Sequence, residues 1–171
     1  MTYRYRVTYF MIPETNTGFS FLGIKEPLLG ALAKLKIETP TPIQKKSIPV
    51  ALLGQDLIGV AQTGTGKTLA FGLPMIQKLI ATGGRALVVL PTRELAAQVE
   101  ESLRPFCRTF YLRTAVLIGG TPIARQIIEL RHQPRIVLAT PGRLMDHVKR
   151  KTLKFDNIKI VVLDEADMMF D

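Results

Sequence analysis

The run Ala61-Gln-Thr-Gly-Thr-Gly-Lys-Thr68 limits the fold of this chain more than any other part of it. Glycines one residue apart, followed by Lys-Thr, let the backbone curl so that successive N–H groups point inward at an anion. The curl works only where a strand delivers it and a helix follows, because the helix N-terminus adds its positive dipole end. Both flanks satisfy that demand: Asp56-Leu-Ile-Gly-Val-Ala61 reads as an apolar strand, and Leu69 to Leu79 reads as a helix. The chemistry implied is phosphate binding by the backbone of Gln62, Thr63, Gly64, Thr65 and Gly66. Lys67 is expected to reach the outer phosphates, and the Thr68 hydroxyl to ligate Mg²⁺. Ala61 stands where the general pattern has glycine.

Further strand candidates follow at Ala86–Leu90, Thr114–Ile118, Arg135–Ala139 and Lys159–Leu163, rich in Val, Ile and Leu as strands covered on both faces are. Helix-period segments separate them. Thr41-Pro42, Thr121-Pro122 and Thr140-Pro141 each set a capping hydroxyl before a proline suited to a first helical turn, and Gly54 and Gly83-Gly84 supply stops. Strands alternating with helices predict an α/β fold, a mostly parallel sheet with helices on both faces, and ligands gathered at the carboxyl ends of the strands.

Lys159-Ile-Val-Val-Leu163 would deliver Asp164-Glu-Ala-Asp167 to that same edge. Beside a phosphate loop, a carboxylate at a strand end holds Mg²⁺ directly or through water, and its neighbour polarises the attacking water. Asp164 suits the first role and Glu165 the second, so Lys67, Asp164 and Glu165 are the candidate catalytic residues.

The chain has 171 residues, enough for one domain, and a formal charge of +9 from 23 Lys and Arg against 14 Asp and Glu. That excess favours polyanions without choosing among nucleic acid, nucleotide and anionic membrane. Cys107 is the single cysteine, which excludes an intrachain disulfide and suits a reducing compartment. No apolar run of 18 residues exists to span a bilayer, so the reading is cytoplasmic. Residues 1–18 read as a loose tail, with Met11 as an alternative start, and residues 19–171 as the folded domain. His132 and His147 lack ligand spacing and receive no chemistry.

Taken together, the motifs resemble those of the DEAD-box ATP-dependent RNA helicases over residues 19–171. In that family Ala or Ser heads the phosphate loop, as Ala61 does here. Pro91-Thr-Arg-Glu-Leu-Ala-Ala-Gln98, Gly119-Gly120 and Thr140-Pro-Gly-Arg143 are similar to the motifs with which the family's first lobe grips an RNA backbone. The resemblance therefore implies RNA contacts from Pro91, Thr92, Arg93, Gly119, Gly120, Thr140, Pro141, Gly142 and Arg143, made largely to phosphates and 2′-hydroxyls. Thr39-Pro-Thr-Pro-Ile-Gln44 resembles the adenine-sensing motif, with Gln44 expected on the adenine edge and Phe19 in the place of an upstream aromatic. Ile37 stands beside that motif without an aromatic face for stacking.

The fold implied is a RecA-like ATP-binding lobe using ATP and Mg²⁺. The family's Ser-Ala-Thr motif, a further core strand and the second lobe with its arginine fingers are not in the sequence. The resemblance thus implies a truncated lobe with little unwinding activity of its own. Two other readings share some of these residues: an RNA clamp or scaffold without productive unwinding, and a phosphate-loop ATPase acting on DNA.

Overall fold

The computed structural model describes residues 18–62 and 64–169. The tail expected over residues 1–18 lies outside the described residues except for Gly18, and so does Thr63 of the phosphate loop. After a short 3-10 turn at Phe19–Leu22 come helices α1 (Leu28–Lys34), α2 (Pro42–Leu52) and α3 (Lys67–Thr82). Then strand β1 (Arg85–Val89), helix α4 (Arg93–Thr109), strand β2 (Thr114–Leu117) and helix α5 (Ile123–Arg131) alternate. Strand β3 (Ile136–Ala139), helix α6 (Pro141–Lys149) and strand β4 (Ile158–Leu163) follow, with a last 3-10 turn at Ala166–Met169.

The four strands are parallel in the order β2-β3-β1-β4. The chain leaves β1 for β2, fills the slot between them with β3, and crosses to the other side of β1 to make β4. That reversal beside β1 opens a crevice at the carboxyl ends of the strands. Period-2 alternation splits the buried strand residues between two cores. Ala86, Val88, Ile136 and Leu138 face a large core completed by Leu73, Ile76, Leu103 and Phe106 of α3 and α4. Leu87, Val89, Val137 and Ala139 face a smaller core with Leu130 of α5 and Leu153. Burial on both faces is why these strands read as continuous apolar runs.

Local start and stop chemistry holds at most boundaries. Thr41 and Thr140 are N-caps with extended backbone before Pro42 and Pro141, and Gly54 and Gly83 take positive φ after α2 and α3. At the third Thr-Pro pair the helix starts one residue later, with Pro122 itself as the cap.

One expected strand is different. Asp56–Ala61 runs without helix or sheet partner among the described residues, and Ile58 and Val60 are 79% and 93% exposed. The edge strand β4 shows the same kind of exposure at Val161 and Leu163. An apolar β-branched run is a local property, whereas a ladder needs a neighbouring backbone. The described segment against Gly59 is helix α2, through Ile43, and a helix has no free ladder edge to offer.

Candidate functional site

Four sequence motifs converge because each strand ends at the same edge of the sheet. Pro91-Thr92-Arg93 follows β1, Gly119-Gly120 follows β2, Thr140-Pro141 follows β3, and Asp164-Glu165 follows β4. The phosphate loop joins them through α3, whose first turn carries Lys67 and Thr68.

The loop is held from below. Gly66 caps α3 at φ 90°, a left-handed conformation, and its carbonyl accepts from Ala70 N at 3.1 Å and from Gln44 Nε2 at 3.0 Å. The other end of the Gln44 amide accepts the Thr41 N–H at 2.9 Å. A Cβ on Gly66 would meet Gln44 Nε2 at 2.5 Å, so glycine is required by backbone and by packing together. Gln44 is 3% exposed and therefore ties the adenine-motif helix to the loop. Thr41 Oγ1 is buried near Gly66 without a hydrogen-bond partner, a polar atom left facing the loop. Gly64 also has positive φ, with open space around it, and Thr65 Oγ1 closes the loop on Gln62 O at 2.7 Å. Ala61 is half-buried at the loop's head.

Across the crevice, Lys67 Nζ and Glu165 Oε1 stand 3.8 Å apart, each about one-fifth exposed. Glu165 has φ 51°, an uncommon backbone state for a non-glycine residue. Asp164 is buried, and its N–H bonds Val89 O at 3.0 Å, extending the β1–β4 ladder by one residue. Burial pushes the Asp164 carboxyl above its ordinary value, while the Lys67 ammonium pulls the other way. A cleft of about 600 Å³ joins Lys67, Thr68, Asp164 and Glu165 to Ile37. It also includes residues that the sequence reading did not single out, such as Leu35, Ser102 and Phe106. These come from α4 and the end of α1, and no local pattern marks them. Phe19 is not brought to this cleft; it is 3% exposed inside the larger core. A second cleft of about 520 Å³, lined in part by Arg104, Arg108, Arg113 and His132, lies at the opposite end of the strands and holds none of the motif residues.

The second cluster sits along the ends of β1, β2 and β3. Thr92 caps α4, its Oγ1 accepting Leu95 N at 3.2 Å, and so uses its hydroxyl locally. Exposed Arg93 lies over the Gly119-Gly120 turn so closely that a Cβ on either glycine would collide with its guanidinium. Thr140 caps α6 without any side-chain cap bond, which leaves its hydroxyl and the first amides of α6, beside Pro141 and Gly142, unused by the cap. Arg143, the guanidinium expected at a phosphate, has partners within the fold. Its Nη1 donates to Thr121 O at 2.8 Å and to Gln126 Oε1 at 3.0 Å, and its side chain is only 14% exposed. Nη1 faces inward because the carbonyl of Thr121 and the amide of Gln126 lie within reach on that side, while Nε stands 3.5 Å from the exposed Asp146 carboxylate.

Cys107 is buried, and desolvation pushes its thiol up to about 12, so it supplies no nucleophile. No group of three or more metal-binding side chains occurs among the described residues, and no described helix is long and apolar enough to cross a membrane.

A protein-family model described as DEAD/DEAH box helicase matches residues 41–171. The ATP-dependent RNA helicase CshA of Listeria monocytogenes serovar 1/2a (strain ATCC BAA-679 / EGD-e) is 48% identical over 157 residues, which is 91% of this chain and 30% of that protein. The crystal structure of a hypothetical ATP-dependent RNA helicase from Sulfolobus tokodaii matches with a TM-score of 0.77 at 38% identity, over 82% of this chain and 41% of that one. The chain thus spans less than half the length of either relative.

Proposed function

Because this chain belongs to the DEAD/DEAH box helicase family, we propose that residues 19–171 form the ATP-binding lobe of an ATP-dependent RNA helicase. In the whole protein this lobe couples ATP hydrolysis to local separation of a short RNA duplex. The observation that carries the reading is the approach of Lys67 to Glu165, beside Asp164, at the same sheet edge as the Arg93, Gly119-Gly120 and Thr140 cluster. A phosphate site and a backbone-gripping site share one rigid support, as a machine linking the two requires.

The division of labour follows from chemistry. The amides around Gly64 and Gly66 cradle the phosphates, and Lys67 neutralises the outer ones. Lys67 now leans on Glu165, so an arriving phosphate competes for its ammonium and frees the carboxylate. Glu165 is then placed to take the proton of the attacking water. The donor set fits Mg²⁺, which accepts one or two carboxylates plus substrate phosphates without a dedicated cage: Asp164 and the Thr68 hydroxyl would hold it. When bound, that ion supplies charge stabilisation to the phosphate oxygens. Burial of Asp164 strengthens its attraction to a cation.

RNA is gripped through its backbone, by Arg93, the free Thr140 hydroxyl, the α6 amides and the closely approachable Gly119-Gly120 turn. Gln44 acts on the nucleotide through the loop it supports. A lone buried cysteine suits a cytoplasmic setting.

The test uses Lys67→Ala and Glu165→Gln in the full-length protein. Lys67→Ala weakens ATP binding, whereas Glu165→Gln retains ATP and loses about 10²–10⁴ in turnover, the usual share of a general base. Undiminished hydrolysis in Glu165→Gln removes Glu165 from its role. ATP-independent strand separation by the intact protein removes the coupling.

A further inference from the structure

His147 is wholly buried, and a buried imidazole with two partners is a committed group. Its Nε2 lies 3.0 Å from Gln126 Oε1, and its Nδ1 lies 2.8 Å from Thr152 Oγ1. Gln126, 1% exposed, also donates from Nε2 to Ile118 O at 2.8 Å. Its Oε1 accepts from Arg143 Nη1 at 3.0 Å, and the same guanidinium nitrogen donates to Thr121 O at 2.8 Å.

These bonds determine one another. Arginine has only donors, so the oxygen of the Gln126 amide faces Arg143 and the NH₂ faces the Ile118 carbonyl. His147 meets that same oxygen and must therefore carry its proton on Nε2. Nδ1 is then an acceptor, and the single proton of the Thr152 hydroxyl lies between it at 2.8 Å and the His147 carbonyl at 3.2 Å, the shorter contact being to the ring. Burial and then the nearby Arg143 charge lower the tendency of His147 to take a second proton, against the pull of Asp146, with Arg150 adding least.

The two carbonyls held by this network, Ile118 O and Thr121 O, flank the Gly119-Gly120 turn. Neither glycine has a side chain to restrain it, and Gly120 sits at φ 80°. We propose that His147, through Gln126 and Arg143, is a positioning residue that locks the Gly119-Gly120 turn to the start of α6, so that two RNA-gripping elements present one preformed surface. This rests on the reading of those elements as an RNA site. Arg143 belongs to the lock, and the contacts to RNA come from the turn, Thr140 and the α6 amides.

The experiment uses the 171-residue chain with His147→Phe, which keeps ring bulk without nitrogens, and His147→Gln, whose amide reaches as far as Nε2 and restores a donor. Amide hydrogen exchange at Gly119, Gly120 and Thr121 is followed by NMR, and affinities are measured for a labelled single-stranded RNA and for a fluorescent ADP. In His147→Phe, exchange at the turn accelerates about 3- to 10-fold and RNA affinity falls by a similar factor, the worth of one buried hydrogen bond. ADP affinity stays within about twofold, and His147→Gln recovers most of the RNA affinity.

Unchanged exchange at the turn in His147→Phe overturns the proposal, as does a parallel loss of ADP and RNA affinity, which marks a merely structural residue. Thr152→Val, read in the same assays, serves if His147→Phe does not fold. Failure of the RNA site itself looks different: wild-type RNA affinity is then insensitive to Arg93→Ala and Thr140→Val, while the exchange measurement, which needs no RNA, still reports on the lock.

Discussion

Gly66→Ala isolates what the phosphate loop demands of its backbone. At φ 90° an alanine bears the left-handed penalty of about 1–2 kcal/mol. Its Cβ would also stand 2.5 Å from Gln44 Nε2. Gln44 is buried and bonded at both ends, to Thr41 N and Gly66 O, so it retreats only by giving up a hydrogen bond, about 0.5–1.5 kcal/mol more. Together these disfavour the binding-ready loop by about 1.5–3.5 kcal/mol, or roughly 10- to 400-fold in nucleotide affinity. Gly64→Ala is the control. Its φ of 81° carries the same backbone term, but nothing lies within 4 Å of the new Cβ. Its loss is therefore about 1–2 kcal/mol, roughly 5- to 30-fold. Titration of fluorescent ADP into each variant measures both. In a Gln44→Ala background the gap between the two glycine variants closes, since the obstructing amide is gone. Equal losses for Gly64→Ala and Gly66→Ala with Gln44 in place would refute the reasoning, because packing would then contribute nothing.

Three other outcomes follow from the same structure. Cys107, with its thiol raised to about 12, resists iodoacetamide in the native chain at pH 8 and reacts only on unfolding; rapid native labelling would contradict its burial. Leu103→Ala removes a wholly buried side chain that packs directly over Gly72 and lowers stability by about 2–5 kcal/mol in urea unfolding, whereas a change below about 0.5 kcal/mol would place it outside the core. Thr140→Val removes a hydroxyl that α6 does not use as a cap, so RNA affinity falls about 2- to 10-fold with the unfolding midpoint nearly unchanged; the reverse pattern would make Thr140 a cap alone.

Local chemistry made a large part of this protein legible in its sequence. Four strand runs lie within a residue of their observed bounds, because each carries a continuous apolar signature, which burial on both faces explains for β1 and β3. The phosphate loop, the acidic pair and the Thr-Pro helix starts were readable for a similar reason: each needs particular side chains at short, fixed spacing. Convergence of the motifs also followed, since parallel strands bring successive carboxyl ends to one edge.

What the tertiary structure alone decided concerns partners distant in sequence. Asp56–Ala61 has the composition of a strand, yet pairing depends on a backbone alongside it, which composition does not encode. Phe19 is aromatic in either place, and only packing put it in the core. Gln44 and Gly66 are 22 residues apart, and their contact gives the side chain expected on the adenine edge a place under the phosphate loop as well. Arg143 and His147 show the same limit. One read as a phosphate clamp and the other as chemically idle, and the fold set Gln126 between them, so that Arg143 Nη1 and His147 Nε2 both meet its oxygen behind a turn 20-odd residues upstream. Side-chain identity sets which bonds a residue can make, and three-dimensional neighbours set which of them it makes.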